Sequence, residues 1–387
     1  MKILLVTYME STHPGGINKV VREIAKNVSN MGHETIVLQP NPAGLPDEEI
    51  YEGFKIIRIS SPLDKYLYGI SIGLYQYLKK NLKDINPDII HVNGYHTLQS
   101  IEVIHTIKRI DPNIPLIFSP YHDVASGTFA GKYLMNLHNF FGKRAIKKCD
   151  YITSSSQFEA GNAVKILNVD PNKLKVIPLG VDLYDQEDNV TIDFSKDIIG
   201  VDVSKDINDV NKINLLYSGY LINRKGVDFI LKSLYALVHD LQVENVTLTI
   251  IGEGPENDNL IELSRNLNLD KYIEWKPFLS RDKLVDKIKQ SDIFMLLSRS
   301  EAYGITVAEA LSLGTPCIIT ENTALKEFSM EPGCFVVDYP PEPEKVASSI
   351  IEVYKNDVTI GPFTEKIRPW DKVSLDYERL YESLITE

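Results

Sequence analysis

Residues 292–320 read DIFMLLSRSEAYGITVAEALSLGTPCIIT. The stretch through Ser298 is short, β-prone and apolar without alternation, the pattern of a strand covered on both faces. The turn SEAYG follows, and ITVAEALSL then reads as a helix that Gly314 and Pro316 stop. CIIT returns as a second strand. Strand, helix and strand in that order make the crossover unit of a parallel sheet.

The unit recurs on both sides of this stretch. Upstream come INLLYSG (213–219), a helix from about Val227 to Leu241, VTLTIIG (246–252), a helix near 258–267, IEWKP (273–277) and a helix near 281–289. The chain also begins this way, with ILLVTY (3–8), a helix from about Ile17 to Met31, and ETIVLQ (34–39). DIIHV (88–92), PLIFSP (115–120) and YITSS (151–155) continue the series among further helical segments. Between the two runs, residues 181–212 are polar, acidic and aperiodic, and read as a linker or surface excursion. VSLDYERLYESLITE (373–387) has apolar positions at helical spacing and closes the chain. The expected fold is α/β, with two Rossmann-like parallel-sheet domains facing a cleft where a ligand would lie.

Composition sets bounds. The 387 residues, 43% of them apolar, suffice for two cores of ordinary size. Cys149, Cys317 and Cys334 are too few and too scattered for a disulfide framework or a zinc site, and a reducing compartment fits. MKILLVTYME lacks the long apolar core and cleavage site of a secretory signal, and no apolar run spans a bilayer. A soluble, cytoplasmic protein is expected. The net charge of -12 opposes a partner made of phosphates along its length, which excludes nucleic acid and leaves any bound phosphate a local matter.

Glu301 and Glu309 have seven residues between them. Glu301 falls in the loop at the strand's carboxyl end and Glu309 about one turn into the helix. The amides from about Gly304 to Val307 and the helix dipole favour an anion at this mouth, and Gly304 lets the backbone approach it. Either acid alone is accounted for by dipole stabilisation. Together they suggest a second task, because carboxylates repel phosphate but accept hydrogen bonds from the hydroxyls of a sugar or ribose attached to it. In LLYSGYLINRKGVDFILKSL (215–234), Arg224 and Lys225 sit at another strand-to-helix turn. They read either as a solvated basic loop or as the fork and the point charge that offset a diphosphate.

SEAYGITVAEALSLGTPCI resembles the donor-site segment of the family 4 glycosyltransferases, retaining enzymes of two-domain GT-B architecture, in its Glu–seven residues–Glu spacing and its aromatic-glycine turn. The resemblance runs over essentially the whole chain. It implies a hexosyl transfer from a nucleoside diphosphate sugar to a sugar, glycan or lipid-linked acceptor, in glycan, glycolipid or cell-envelope synthesis, with no metal or other cofactor. It further implies that Glu301 contacts the transferred sugar, that Glu309 contacts the ribose, and that backbone near Tyr303, Gly304, Ile305 and Thr306 holds sugar and diphosphate. Lys225 matches the family's phosphate lysine before Gly-Val-Asp. Tyr220 stands where the family often has arginine, so Arg224 is the candidate for the second positive charge.

Further positions follow from the same resemblance. Gly252 and Glu253 in TIIGEGPE (249–256) match a turn beside the nucleotide, with Pro277 where the family's next strand end usually has glycine. Gly15 and Gly16, between the first strand and helix, match a loop whose backbone approaches the donor phosphate, Gly16 being the candidate. His122 of FSPYHDVASG (118–127) matches a histidine expected to touch the transferred sugar, beside Asp123; His96 would border the acceptor pocket, whereas His91 reads as packed in the fold. PLGVD (178–182) matches the hinge, and the last helix is implied to cross back to the first domain. The domains implied are 1–180 with 369–387 on the acceptor side and 181–368 for the nucleotide sugar.

GKYLMNLHNFFGKRAIKKCD (131–150) mixes aromatics with Lys132, Lys143, Arg144, Lys147 and Lys148. It reads either as an ordinary helix packed on the sheet or as a peripheral contact with the anionic inner face of a membrane. Three rivals share parts of this pattern: a sugar-nucleotide epimerase or phosphorylase of the same architecture, and a non-catalytic two-lobed sugar binder. A nicotinamide oxidoreductase lacks its complete GxGxxG after an early strand.

Overall fold

A computed structural model describes residues 1–12, 15–41, 44–60, 71–95, 97–121, 129–182, 190–192, 212–356 and 358–386, of which 129–137 and 190–192 in backbone only. The chain divides into two compact units, Met1–Gly180 with Pro369–Glu387, and Val181–Arg368.

The first unit runs β1 (Lys2–Thr7), α1 (Gly16–Asn30), β2 (Glu34–Pro40), β3 (Glu48–Tyr51), β4 (Phe54–Ile59), α2 (Ile72–Ile85), β5 (Ile89–Asn93), α3 (Leu98–Ile110), β6 (Leu116–Ser119), α4 (Phe129–Ile146), β7 (Tyr151–Ser154), α5 (Gln157–Leu167) and β8 (Leu174–Val176). The strands form one sheet in the order β3-β4-β2-β1-β5-β6-β7-β8, parallel except for β3. Ile3 to Val6 are at most 1% exposed, because helices cover both sheet faces and every side chain of β1 after Lys2 is buried. The antiparallel β3–β4 hairpin adds an edge that the strand series above omits. Its turn, Glu52-Gly53, has positive φ at both residues, 44° and 90°, the backbone that matches the twist of a two-residue hairpin.

Short β9 (Gly180–Val181) marks the passage into the second unit, and β10 (Val190–Ile192) lies in the acidic segment. Then follow β11 (Ile213–Ser218), α6 (Val227–Tyr235), β12 (Val246–Ile251), α7 (Asn257–Asn266), β13 (Ile273–Lys276), α8 (Arg281–Lys289), β14 (Ile293–Leu296), α9 (Ile305–Ser312), β15 (Cys317–Thr320), β16 (Cys334–Val337), α10 (Pro343–Lys355), β17 (Val358–Ile360), β18 (Arg368–Pro369) and α11 (Trp370–Ile385). The expected helix to Leu241 is α6 continued by a wider π-helical turn, Ala236–Asp240. The second sheet is wholly parallel, ordered β13-β12-β11-β14-β15-β16.

This order positions the site. β11 is paired with β12 on one side and with β14 on the other, so the winding reverses between β11 and β14. Connections leaving their carboxyl ends then diverge to opposite faces and open a crevice there. The two loops at that point are 219–226 and 297–304, the ones that carry Lys225 and Glu301.

The closing helix α11 packs within the first unit. Its Tyr381 hydroxyl is 2.8 Å from His91 Nδ1, and its Glu378 is 2.6 Å from His33 Nε2. His91 is fully buried, its other nitrogen 2.7 Å from Ser119 Oγ, and burial depresses its pKa to about 3. It is a neutral packing residue, as its place within β5 suggests.

Candidate functional site

Glycines let the loops of the second unit interlock. Gly226 has φ +66°, and a Cβ there would lie 2.0 Å from the Leu297 carbonyl oxygen. The β11–α6 loop therefore seats directly on the end of β14. A Cβ on Gly252 would lie 1.9 Å from the Gly219 carbonyl, and one on Gly254 2.3 Å from that of Leu221. The Leu221 amide donates to the Glu253 carbonyl at 2.9 Å, while the Glu253 side chain is exposed. Thus the GEG turn works through its backbone.

On this base Lys225 Nζ comes 2.6 Å from Glu301 Oε1, and Ser298 Oγ donates to the same oxygen at 2.9 Å. The Glu301 amide donates to Thr323 Oγ1 at 3.1 Å, which fixes the backbone beneath the carboxylate. Glu301 is 6% exposed. Burial works against its ionisation, but the charges of Lys225 and Arg224, with hydrogen bonds from Lys225 and Ser298, outweigh it and hold the carboxyl below its ordinary range. Both donors reach Oε1, and among the described residues Oε2 receives none. The site thus holds a charged acceptor with one oxygen anchored and one to offer.

Arg299 was not singled out by sequence, though it lies two residues before Glu301. Its guanidinium grips Asp228 with two bonds of 2.7 and 2.8 Å, donates to the Asn223 carbonyl at 2.8 Å and lies 4.1 Å from the Phe229 ring centroid. Its amide donates to the Arg224 carbonyl at 2.8 Å. Arg299 thereby fastens the Lys225 loop to the Glu301 loop, and the half-exposed Arg224 adds its charge to the same place.

α9 begins beyond Gly304, whose φ of +105° suits glycine. Val307 and Ala308 donate back to the Gly304 carbonyl at 3.0 and 3.2 Å. The amides before them, Ile305 and Thr306 included, belong to the turn that has no intrahelical acceptors. Tyr303 is buried, its hydroxyl donating to the Lys366 carbonyl and its ring 5.5 Å from that of Phe328. Its side chain anchors the turn, and only its backbone is available to a ligand. Glu309 is 5% exposed, with Oε1 3.0 Å from Arg281 Nη1, and Arg281 Nη2 lies 3.0 Å from Asp182 Oδ2. Arg281 also escaped the sequence reading, since nothing in a helix start announces a partner 28 positions on. Tyr220 and Phe278, 40% and 36% exposed, meet edge to face at 5.0 Å beyond β11 and β13.

In the first unit, α1 starts at Gly16 with Gly15 as its cap, and nothing lies within 4 Å of where a Gly16 Cβ would stand. The chain leading there is held by Glu10, which accepts from Thr12 Oγ1 and Gln39 Nε2 at 2.6 Å each and from Arg58 Nη2 at 3.2 Å. His122, Asp123 and His96 lie outside the described residues. Among the described residues no helix is long and apolar enough to cross a membrane.

Two family models match the chain: Glycosyltransferase Family 4 over residues 14–184 and Glycosyl transferases group 1 over residues 202–368. An uncharacterized glycosyltransferase of Methanocaldococcus jannaschii is 24% identical over 91% of this chain and 89% of its own. Among solved structures, sucrose-phosphate synthase from Thermosynechococcus elongatus superposes with a TM-score of 0.79 at 16% identity, covering all of both chains. Anabaena HepE, solved in complex with UDP and glucose, does so with a TM-score of 0.71 at 15% identity, over 99% of this chain and 100% of that one. These likenesses give the fold, the GT-B arrangement of two parallel-sheet domains.

Proposed function

The chain belongs to the family 4 glycosyltransferases, and from that premise we propose that it is a retaining enzyme that moves a hexosyl residue from a nucleoside diphosphate sugar to an acceptor hydroxyl in glycan, glycolipid or cell-envelope synthesis. The observation that carries the reading is the Lys225–Glu301 pair at the reversal of the second sheet, beside the first turn of α9. A diphosphate needs cations and amides; a sugar needs fixed acceptors. In that crevice the cation Lys225 and the acceptor Glu301 are 2.6 Å apart.

In the proposed reaction the bond between the anomeric carbon and phosphate breaks, the sugar gains cationic character and the diphosphate gains negative charge. Lys225, Arg224 and the amides of Gly304, Ile305 and Thr306 receive that charge as preorganised partners. Glu301, anchored by Ser298, accepts from a hydroxyl of the transferred sugar through its second oxygen. Glu309 accepts from the ribose, with the turn at Gly252 and Glu253 beside the nucleotide. The departing phosphate oxygen takes the acceptor's proton, so no metal or other cofactor and no enzyme nucleophile is required. Uridine diphosphate sugars are the first donors to try, since HepE was solved with UDP.

The acceptor is proposed to be reached at the inner face of a membrane. Phe140 and Phe141 are 52% and 44% exposed at the end of α4, and Lys143, Arg144, Lys147 and Lys148 beside them are exposed as well. On a chain of net charge -12, that local cluster suits anionic lipid. Vesicle flotation tests it: retention on anionic but not neutral vesicles is expected, and equal absence from both would remove it.

The transfer itself is tested by screening nucleoside diphosphate sugars for thermal stabilisation, then following nucleoside diphosphate release with and without acceptors. Acceptor-dependent release is expected, with the anomeric configuration of the donor kept in the product by proton NMR. An inverted product would overturn retention, and release that no acceptor accelerates would overturn transfer.

A further inference from the structure

Arg281 stands at a position that helix electrostatics disfavours. It is the first residue of α8, where the positive end of the helix dipole stabilises acids and opposes a cation. What compensates is a pair of carboxylates from outside the helix, Glu309 on one nitrogen and Asp182 on the other, each at 3.0 Å. The planar guanidinium is a rigid fork, so occupying both of its ends fixes its orientation. Asp182 sits at the start of the unit, and Glu309 is buried within α9. The guanidinium thus holds Oε1 of this buried carboxylate at a defined place.

We infer that Arg281, itself held by Asp182, is a positioning residue that orients Glu309 to recognise the ribose of the nucleotide. The inference rests on the proposed reading of Glu309 as the ribose acceptor. It adds a specificity device built from three residues that come together from 182, 281 and 309. Arg281 does not touch the nucleotide; it decides where the acceptor oxygen points. A lysine could replace the charge but could not hold both carboxylates in one plane.

The test compares ribose with deoxyribose. Calorimetric affinities for uridine, guanosine and adenosine diphosphates and their 2′-deoxy forms are measured on the whole chain and on Arg281→Ala, Arg281→Lys and Asp182→Asn. The unaltered protein is expected to prefer the ribose form of its best nucleotide by about tenfold or more, the usual value of a hydrogen bond to a charged acceptor. Arg281→Ala should bring that ratio to about twofold or less while the deoxy form binds nearly as before, with Arg281→Lys and Asp182→Asn in between. A general loosening of the pocket would weaken both forms alike and leave the ratio whole, which overturns the inference. If Arg281→Ala does not fold, an undiminished ratio in both milder variants overturns it equally. Failure of the unaltered protein to bind any of these nucleotides, or to prefer ribose, sinks the reading of Glu309 and this inference with it; a ribose preference that survives in the variants sinks the inference alone.

Discussion

Glu10 in the first unit and Glu301 in the second are both buried carboxylates at the carboxyl end of a central strand region, yet they are wired differently. Glu10 spends both oxygens: Oε2 accepts from the amide and hydroxyl of Thr12, and Oε1 accepts from Gln39 and Arg58. Glu301 takes its two donors on one oxygen. A saturated carboxylate holds a loop and has nothing left to exchange, whereas a half-saturated one beside a lysine can receive a ligand. Charge and burial alone therefore do not mark a site; the distribution of donors over the two oxygens does.

The strongest way to break the contrast is to remove Glu301's charge. Glu301→Gln keeps the shape and gives Lys225 a neutral acceptor in place of its carboxylate. Transfer is expected to fall by about a hundredfold or more, the scale of losing one preorganised electrostatic partner, and Lys225→Ala should do the same. The thermal midpoint of Glu301→Gln should stay close to that of the unaltered protein, whereas Lys225→Ala leaves Glu301 buried without its nearest cation and should melt lower. A near-normal rate in either variant would remove the pair from the chemistry.

The corresponding change in the first unit should read out as stability instead. Arg58 is 2% exposed and also bonds Glu49, so Arg58→Met leaves Glu10 buried without its cation. Breaking such a pair from one side costs about 3–5 kcal/mol, and denaturant unfolding would detect it. A loss below about 1 kcal/mol would mean that Thr12 and Gln39 suffice.

Acid sharpens the same comparison. Burial pushes Glu10's pKa up, but bonds from Thr12, Gln39 and Arg58 overcome that and leave it below the ordinary 4.5. A group depressed in the folded state stabilises fully above its unfolded value, and that contribution is lost as pH falls through the folded one. Melting temperature should therefore drop below about pH 4.5 in the unaltered protein. Part of that drop should vanish in Arg58→Met, where the bare carboxyl prefers its proton. Parallel acid slopes in the two proteins would contradict the assignment.

How much of this was legible beforehand follows from range. A strand such as 293–296 announces itself because burial on both faces demands an unbroken apolar run. Glu301, Glu309 and Lys225 stood out by local spacing. Which loops meet depends on β11 lying beside β14, an order that no run of residues encodes. Arg299 with Asp228 and Arg281 with Glu309 are therefore invisible until the sheet is assembled. The β3–β4 hairpin was a different kind of omission, since Glu52-Gly53 is a weak turn signal beside the Asn-Gly or Asp-Gly that such turns favour.

The smallest expected effect concerns Tyr220, where the family often places an arginine. Its ring and that of Phe278 form an exposed aromatic ledge past the ends of β11 and β13, flanking the interlocked turns at Gly219 and Gly252. A cation there would reach for phosphate; an aromatic face is suited to a base. Stacking of this kind contributes about 1–3 kcal/mol per base, and the lower end suits a surface two-fifths exposed. Tyr220→Ala should thus weaken a nucleoside diphosphate by about fivefold to tenfold and leave inorganic pyrophosphate unaffected, as competition calorimetry would measure. Equal loss for both ligands would place Tyr220 with the phosphate after all, as a stand-in for the arginine, and the ledge would then have no part in choosing the base.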